Sequence, residues 1–181
     1  MSAPLIDPPR LRVLFVCTAN ICRSPLMEIT ARALAGEDSG LEFTSAGTQG
    51  WVDQPMNPEM SRTLPPGAAD AFRSRLLDAN ILAGADLVLT AEAAHRSHIL
   101  EEFPQRIRTV FTLGQFAAAV EQHPGLRGRA LVEAVGSRRT PARPADDVDD
   151  PYRRGEAAAD AAAGTISTML SVIVPRLREA D

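Results

Sequence analysis

An apolar run, Val13-Leu14-Phe15-Val16, passes directly into Cys17-Thr18-Ala19-Asn20-Ile21-Cys22-Arg23-Ser24, and a helical pattern begins at Pro25. Strand, short loop and helix in that order constrain the fold more than anything else in the chain. A strand of continuous apolar character is buried on both faces, the habit of parallel sheets flanked by helices. The loop at its carboxyl end has a particular chemistry. Its backbone N–H groups can curl into a nest for an oxyanion, and the next helix aims its positive end at the same point. Arg23 adds a rigid fork for two phosphate oxygens. The same positive field favours the thiolate of Cys17, which would lie beneath a bound phosphorus as a nucleophile. The pattern points to a cysteine-dependent phosphatase. Taken singly, a Cys at the end of a buried strand is more often an inert small hydrophobe. The flanking strand, Ser24 placed to cap the helix and Pro25 at its first position set this one apart.

The rest of the chain alternates strands with helices. Strands are expected over Leu11–Val16, Leu41–Ser45, Asp86–Leu89 and Arg108–Phe111. Helices are expected over Pro25–Ala35, Ala68–Asn80, Ala91–Glu102, Leu113–Glu121 and Arg153–Leu177, the last shortened or bent by Gly164 or Pro175. In the first helix Leu26, Ile29 and Ala33 would face the sheet. The segment from Ala46 to Gly67, with four prolines, reads as loop. Residues 1–10, with three prolines, read as a flexible tail, and residues 11–181 as a single domain. The stretch 124–145 holds Arg127, Arg129, Arg138, Arg139 and Arg143 and reads as a solvated connection. This alternation predicts an α/β fold: a parallel sheet covered on both faces, joined by right-handed crossovers. In such sheets ligands bind outside the carboxyl ends of strands, where strand order reverses. The first strand delivers Cys17 to that edge.

A formal charge of −4 argues against a general nucleic-acid binder or a membrane-surface protein. No apolar run approaches the roughly 18 residues of a membrane span, and Met1 to Arg10 hold no apolar core of a signal peptide. Both cysteines fall in one loop rather than in a disulfide framework, which favours a reducing, cytoplasmic setting. His95 and His98 are three apart on an expected helix and read as a surface face, and His123 stands alone. No metal or cofactor is called for, since phosphoryl transfer depends mainly on positioning.

Cys-Thr-x-Asn-Ile-Cys-Arg-Ser-Pro near the N-terminus resembles the low-molecular-weight protein tyrosine phosphatases. Ser45-Ala46-Gly47-Thr48, with Trp51 after it, resembles that family's second strand and the aromatic loop beside its active site. Asp147-Val148-Asp149-Asp150-Pro151-Tyr152 resembles the loop that carries the general acid. The resemblance implies a flavodoxin-like, four-stranded sheet of order 2-1-3-4 and hydrolysis of phosphotyrosine on a protein partner. It implies Asp150, directly before Pro151, as acid and then base, with Asp149 the next choice in a loop that otherwise reads as solvated charge. Cys17 and Arg23 carry over as nucleophile and phosphate fork. The loop from Thr18 through Ala19, Asn20, Ile21 and Cys22 lines the phosphate, and Ser24 donates to the thiolate. Ser45 matches the family serine that braces Asn20, an Asn suited to left-handed backbone. Trp51 and Tyr152 are candidates for the aromatic walls of the pocket, although Trp51 could equally cap the core. Cys22 is either a small packing residue or a redox partner of Cys17. Phe72 stands where the family often has a histidine, with Arg75 three residues on.

Three other readings compete. Arsenate reductases of this fold need cysteines downstream, and none follows Cys22. A non-catalytic phosphate-binding module would normally have lost its nucleophile or acid, yet Cys17, Arg23 and Asp150 are all present. Arginine phosphatases carry Thr at the loop position of Ile21, whose branched apolar side chain offers nothing to a guanidinium.

Overall fold

Four parallel strands, β1 (Leu11–Cys17), β2 (Leu41–Gly47), β3 (Leu87–Thr90) and β4 (Val110–Thr112), pair in the order β2-β1-β3-β4. This is the order implied by the family resemblance. The structure, a computed structural model, describes residues 10–138 and 140–179; the tail expected over 1–10 lies outside them except for Arg10, as does Arg139. Strand order reverses at β1, which pairs with β2 on one side and β3 on the other. Cys17 is its last residue, in register with Gly47.

Residues of β1 alternate between two cores, as the strand's period of two requires. Val13, Phe15 and Cys17 join one apolar cluster, and Leu14 and Val16 join the other. The first cluster holds α1 (Arg23–Ala35), α5 (Leu113–Glu121) and α7 (Glu156–Leu177) against the sheet. The second lies under α3 (Ala79–Ala83) and α4 (Ala93–Glu102), through Leu82 and Ile99. Both faces are therefore covered, and the unbroken apolar character of residues 13–16 follows from that; Arg12, nearer the start of β1, is exposed. Burying each such side chain contributes about 1.5–3 kcal/mol.

By length and composition α7 resembles a membrane span, with 22 residues and a mean hydropathy of 1.5. It nevertheless buries Ala159, Ala162, Ile166, Leu170, Ile173, Val174 and Leu177, and it packs along α1 and α5. The apolar content is that of a core helix. Pro175 falls in its last turn and does not break it, nor does Gly164.

Several expectations need correction. No helix covers Ala68–Asn80; turns run over 66–71 and α3 begins only after the Asp78 cap, whose side chain accepts from Ile81 N–H. The cause lies in where the backbone hydrogen bonds go. Ser74 N–H donates to Gln54 O, Ser74 O accepts from Asp53 N–H, and Arg75 O accepts from Gly47 N–H. These groups tie the segment to the loop after β2, so an intrahelical ladder is unavailable to them. A short helix, α2 (Pro58–Ser61), also interrupts the expected loop, capped by Asn57 Oδ1. The stretch 124–145 is more than a solvated connection, because it contains α6 (Gly128–Ser137), which buries Leu131, Val132 and Val135. In α1 the buried residues are Arg23, Ser24, Pro25, Leu26, Met27, Glu28, Ala31 and Ala35, whereas Ala33 is exposed and Ile29 half-buried. The helix begins at Arg23, so Ser24 lies within it and does not cap it, and Pro25 is third rather than first.

Candidate active site

Residues 18–22 leave β1 and return to α1 in a tight curl. Asn20 makes this possible by taking a left-handed backbone, φ 54°. The carbonyl oxygens of the curl are turned outward: Cys17 O accepts from Thr48 N–H at 3.0 Å, Thr18 O from Gln49 N–H at 2.9 Å, and Ile21 O from Asn57 N–H at 2.7 Å. Among the described residues, no protein acceptor takes the N–H groups of residues 18–23. The loop is thus a set of unspent donors, which is what an oxyanion nest requires. Gly47 lets the neighbouring chain lie this close, since a Cβ there would come within 2.6 Å of Thr18 O.

The nucleophile candidate sits beneath that curl. Cys17 Sγ is 3.0 Å from Ser24 Oγ, and both side chains are buried. Asn20 Nδ2 donates to the same Ser24 oxygen at 2.8 Å and to Ser45 Oγ at 2.8 Å. With one lone pair so occupied, Ser24 has its own proton to share between the sulfur at 3.0 Å and Ala46 O at 3.4 Å, the sulfur being the nearer. Ser45 in turn donates to Glu28 Oε2 at 2.5 Å, and Glu28 pairs with Arg32. Asn20 Oδ1 accepts from Arg75 N–H at 2.9 Å, and Arg75 Nε donates to Ser45 O at 2.7 Å. Ser45 therefore does brace Asn20. The segment that carries Phe72 supports the loop through Arg75 rather than through a histidine, and Phe72 itself packs against the core.

Arg23 is 2% exposed, and its fork is held by one edge. Nη1 donates to Glu92 Oε1 and, at 2.9 Å, to Val148 O. Nη2 lies 3.3 Å from Asp150 Oδ1. Nε is buried and has no protein partner. An Arg binds two phosphate oxygens through two neighbouring nitrogens. Here Nη1 anchors the group, and the Nε–Nη2 edge is the one left for an anion, held only by the half-exposed Asp150. Glu92, missed by sequence reasoning, lies at the turn between β3 and α4. Its signal was available in principle: β3 is parallel to β1, so its carboxyl end must reach the same edge of the sheet.

The aspartate-rich loop, residues 146–150, is fastened to that turn. Val148 N–H donates to Ala91 O at 2.8 Å, and Asp147 Oδ1 accepts from Ala93 N–H at 2.7 Å. Burial pushes the Asp147 carboxyl above its usual range, against the Ala93 bond that lowers it. Asp146 is held by Arg143, and Asp149 is exposed. Of the four aspartates, only Asp150 reaches the fork. It also lines a cleft of about 230 Å³ together with Cys17, Ile21, Arg23, Trp51 and Tyr152.

Most of the residues expected in the site therefore meet in this cleft, including Thr18, Ala19 and Cys22. Asn20 and Ser24 lie behind it as braces. Trp51 does not cap the core; it is 57% exposed at the mouth. Tyr152 is half-buried opposite the loop, with the Arg153 guanidinium 5.1 Å from its ring centroid. Cys22 is buried at the base of the loop, where burial and the nearby Cys17 push its thiol up to about 12. The surface reading of His95 fails: the ring is 5% exposed, and its Nε2 lies 2.9 Å from Thr18 Oγ1. No group of three or more potential metal-ligating side chains occurs among the described residues.

The chain is similar to known proteins in sequence and in fold. The sequence profile of the family described as low molecular weight phosphotyrosine protein phosphatase matches residues 12–127. A probable low molecular weight protein-tyrosine-phosphatase, EpsP of Ralstonia solanacearum, is 27% identical over 168 residues, 92% of this chain and 95% of that one. Among solved structures, a low molecular weight protein tyrosine phosphatase from T. tengcongensis has a TM-score of 0.70 at 28% identity, over 92% of this chain and 99% of its own. An arginine phosphatase from Geobacillus stearothermophilus has a TM-score of 0.71 at 25% identity, over 92% of both chains. With the profile covering well over half its length, on the very segment that folds into the cradle, the chain belongs to the low molecular weight phosphotyrosine protein phosphatase family.

Proposed function

We propose that this protein hydrolyses phosphotyrosine on a protein partner through a thiophosphate on Cys17, with Arg23 as the phosphate fork and Asp150 as acid and then base. One observation carries the reading: Cys17 Sγ lies 3.0 Å from a Ser24 hydroxyl already engaged by Asn20, under a loop of unspent N–H donors. A sulfur in the wall of the same cleft can attack an oxyanion that the donors hold.

In the first step the Cys17 thiolate attacks phosphorus in line, and the bond to the aryl oxygen breaks. The N–H groups of the loop and the Nε–Nη2 edge of Arg23 hold the equatorial oxygens and follow the charge. When phosphate takes that edge, Nη2 exchanges Asp150 for a phosphate oxygen. Asp150, half exposed at its side chain, is then free to give its proton to the leaving phenolate. In the second step the Asp150 carboxylate takes a proton from water as that water attacks phosphorus, and the P–S bond breaks. Ser24 donates to the departing thiolate. Glu92 and Val148 O keep the fork from turning with its changing partners.

Two features favour an aryl phosphate over phosphoarginine. Ile21, in the cleft wall, presents only carbon to a substrate's stem, and Trp51 and Tyr152 offer ring faces on which a phenyl group stacks. Pocket depth should also exclude the short phosphoserine side chain. Specificity constants on three matched peptides, carrying phosphotyrosine, phosphoarginine or phosphoserine, test the substrate class. Phosphotyrosine should lead, and a preference for phosphoarginine overturns it. Trapping labelled phosphate during turnover tests the chemistry, with the label expected on Cys17 and on no other residue.

A further inference from the structure

The turn between β3 and α4 reaches the cradle at a second point besides Glu92. Glu92 N–H donates to His95 Nδ1 at 3.2 Å, as part of the capping box that opens α4. A ring nitrogen that accepts carries no proton, so the single N–H of the neutral ring is on Nε2. That N–H faces Thr18 Oγ1 at 2.9 Å and donates to it. The Thr18 hydroxyl then has a lone pair occupied and its own proton unspent, on a residue that lines the cleft beside Cys17. Among the described residues, no protein acceptor takes that proton.

We propose that His95 is a positioning residue of the phosphate cradle: it holds the Thr18 hydroxyl so that its proton is available to a phosphoryl oxygen, one donor beyond Arg23 and the backbone N–H groups. The inference rests on the reading of residues 17–24 as a phosphate site. The groups that face His95 are Arg23, Glu92, Asp150 and His98. A charged ring would lose its bond from Glu92 N–H and place a second cation next to Arg23. Burial, with Arg23 behind it, keeps the ring down at about 4, so the Nε2–H donor persists across the neutral range. A role confined to capping α4 would leave the Thr18 bond without consequence, and that difference can be measured.

The test is a double-mutant cycle with inorganic phosphate as the probe, read as dissociation constants by calorimetry. His95→Gln keeps an acceptor for the cap, since Gln is a usual residue at that capping-box position. His95→Gln and Thr18→Val should each weaken phosphate binding about fivefold, the loss of one hydrogen bond. The double variant should bind no more weakly than either single. A double variant about 25-fold weaker, the product of independent effects, overturns the proposal, as does wild-type affinity in His95→Gln. A second readout needs no variant: the ring ¹⁵N shifts of His95 in the wild type at pH 7 should report a neutral ring protonated on Nε2. A charged ring or an Nδ1–H tautomer overturns the proposal. A wild type that shows the non-additive cycle yet hydrolyses no aryl phosphate sinks the phosphatase reading and leaves the role of His95 standing. Brisk turnover with an additive cycle does the reverse.

Discussion

Along the floor of the cleft, Asn20, Arg23 and Ser24 are 0–2% exposed, and each is tied by hydrogen bonds to another element of the fold. At the rim, Trp51 is 57% exposed, the Asp150 side chain is 50% exposed, and Tyr152 has a surface arginine as its ring partner. The floor is over-determined: Asn20 alone joins the loop to β2 through Ser45, to α1 through Ser24 and to the segment before α3 through Arg75. The rim is held mainly by its backbone. This division matches the two demands on such a site. Charge stabilisation in the transition state needs dipoles fixed in advance, whereas admitting a macromolecular substrate needs a surface that can yield. Substitutions on the floor should therefore remove chemistry, and those at the rim should grade it.

The sharpest test lies at the floor. Cys17→Ser should lower turnover by on the order of 10⁴-fold or more, because an alcohol is not ionised there and the covalent route closes. Phosphate affinity should be retained, since the donors are untouched. Arg23→Lys should cost about 10²–10³-fold in kcat, because an ammonium cannot fill the place of a fork bound on one edge and open on the other. Steady-state kinetics with para-nitrophenyl phosphate check both. A lysine variant near wild-type activity would mean that the fork is not what holds the phosphate.

Asp150 belongs to the rim by exposure and to the floor by its contact with Arg23, so it should behave as both. Asp150→Asn should slow phenyl phosphate by about 10²–10³-fold, where the leaving phenolate needs a proton. With para-nitrophenyl phosphate, whose anion leaves unaided, the loss should be about tenfold or less. Asp149→Asn should be mild on both substrates, for its side chain faces solvent. The reverse order in the two variants would reassign the acid.

The same division decides what could be read from the sequence. Strand order came from the family resemblance, whereas the strand–loop–helix cradle was legible because it rests on short-range signals: an apolar run, a turn-tolerant Asn and a Cys–Arg spacing. Glu92, His95 and Arg75 were not. Each contacts the loop from more than fifty residues away, and nothing local distinguishes them from ordinary helix-start or surface residues. His95 in particular looked solvated because a helical pair at i and i+3 reports a shared face, not which way that face points. Only the β3–β1 pairing, which sends both strands to one edge, aims it at Thr18. The helix expected over Ala68–Asn80 failed for a related reason. Its backbone groups are taken by the loop after β2, a tertiary demand that outranks propensity. The acidic loop was legible only by resemblance, since four aspartates in five residues have one composition and several fates.

Cys22 belongs to the floor by burial, and its chemistry follows. Pushed up to about 12, its thiol stays protonated at neutral pH and does not compete with Cys17 as a nucleophile. Peroxide should oxidise Cys17 first, to a sulfenic acid, with water as the other product. Attack by the Cys22 sulfur on that sulfenic acid forms a disulfide and releases hydroxide, and its rate rises with the thiolate fraction of Cys22. Disulfide formation after a peroxide pulse should therefore quicken as pH rises from 7 towards 10, followed by mass spectrometry of quenched samples. Dithiothreitol should then restore activity. If no Cys17–Cys22 bridge forms at any pH, Cys22 is packing alone.

The smallest effect is expected at the outermost residue. Trp51 sits beyond Gly50 and before Asp53, both with positive φ, and its carbonyl accepts from Ser74 Oγ, so its backbone is placed while its ring is left to solvent. A ring in that position adds stacking area to an aryl substrate and nothing to the bond-breaking step. Stacking of this kind is worth about 0.5–1.5 kcal/mol, so Trp51→Ala should raise KM for a phosphotyrosine peptide about two- to twelvefold and leave kcat within about twofold. For a phosphate ester with a small aliphatic leaving group, which has no ring to stack, KM should not move. A fall in kcat as large as that of Asp150→Asn would place Trp51 on the floor's side of the division. It would also show that the tie from Ser74 to the loop after β2 transmits strain into the cradle, through Gly47 and the Thr18 carbonyl it lies against.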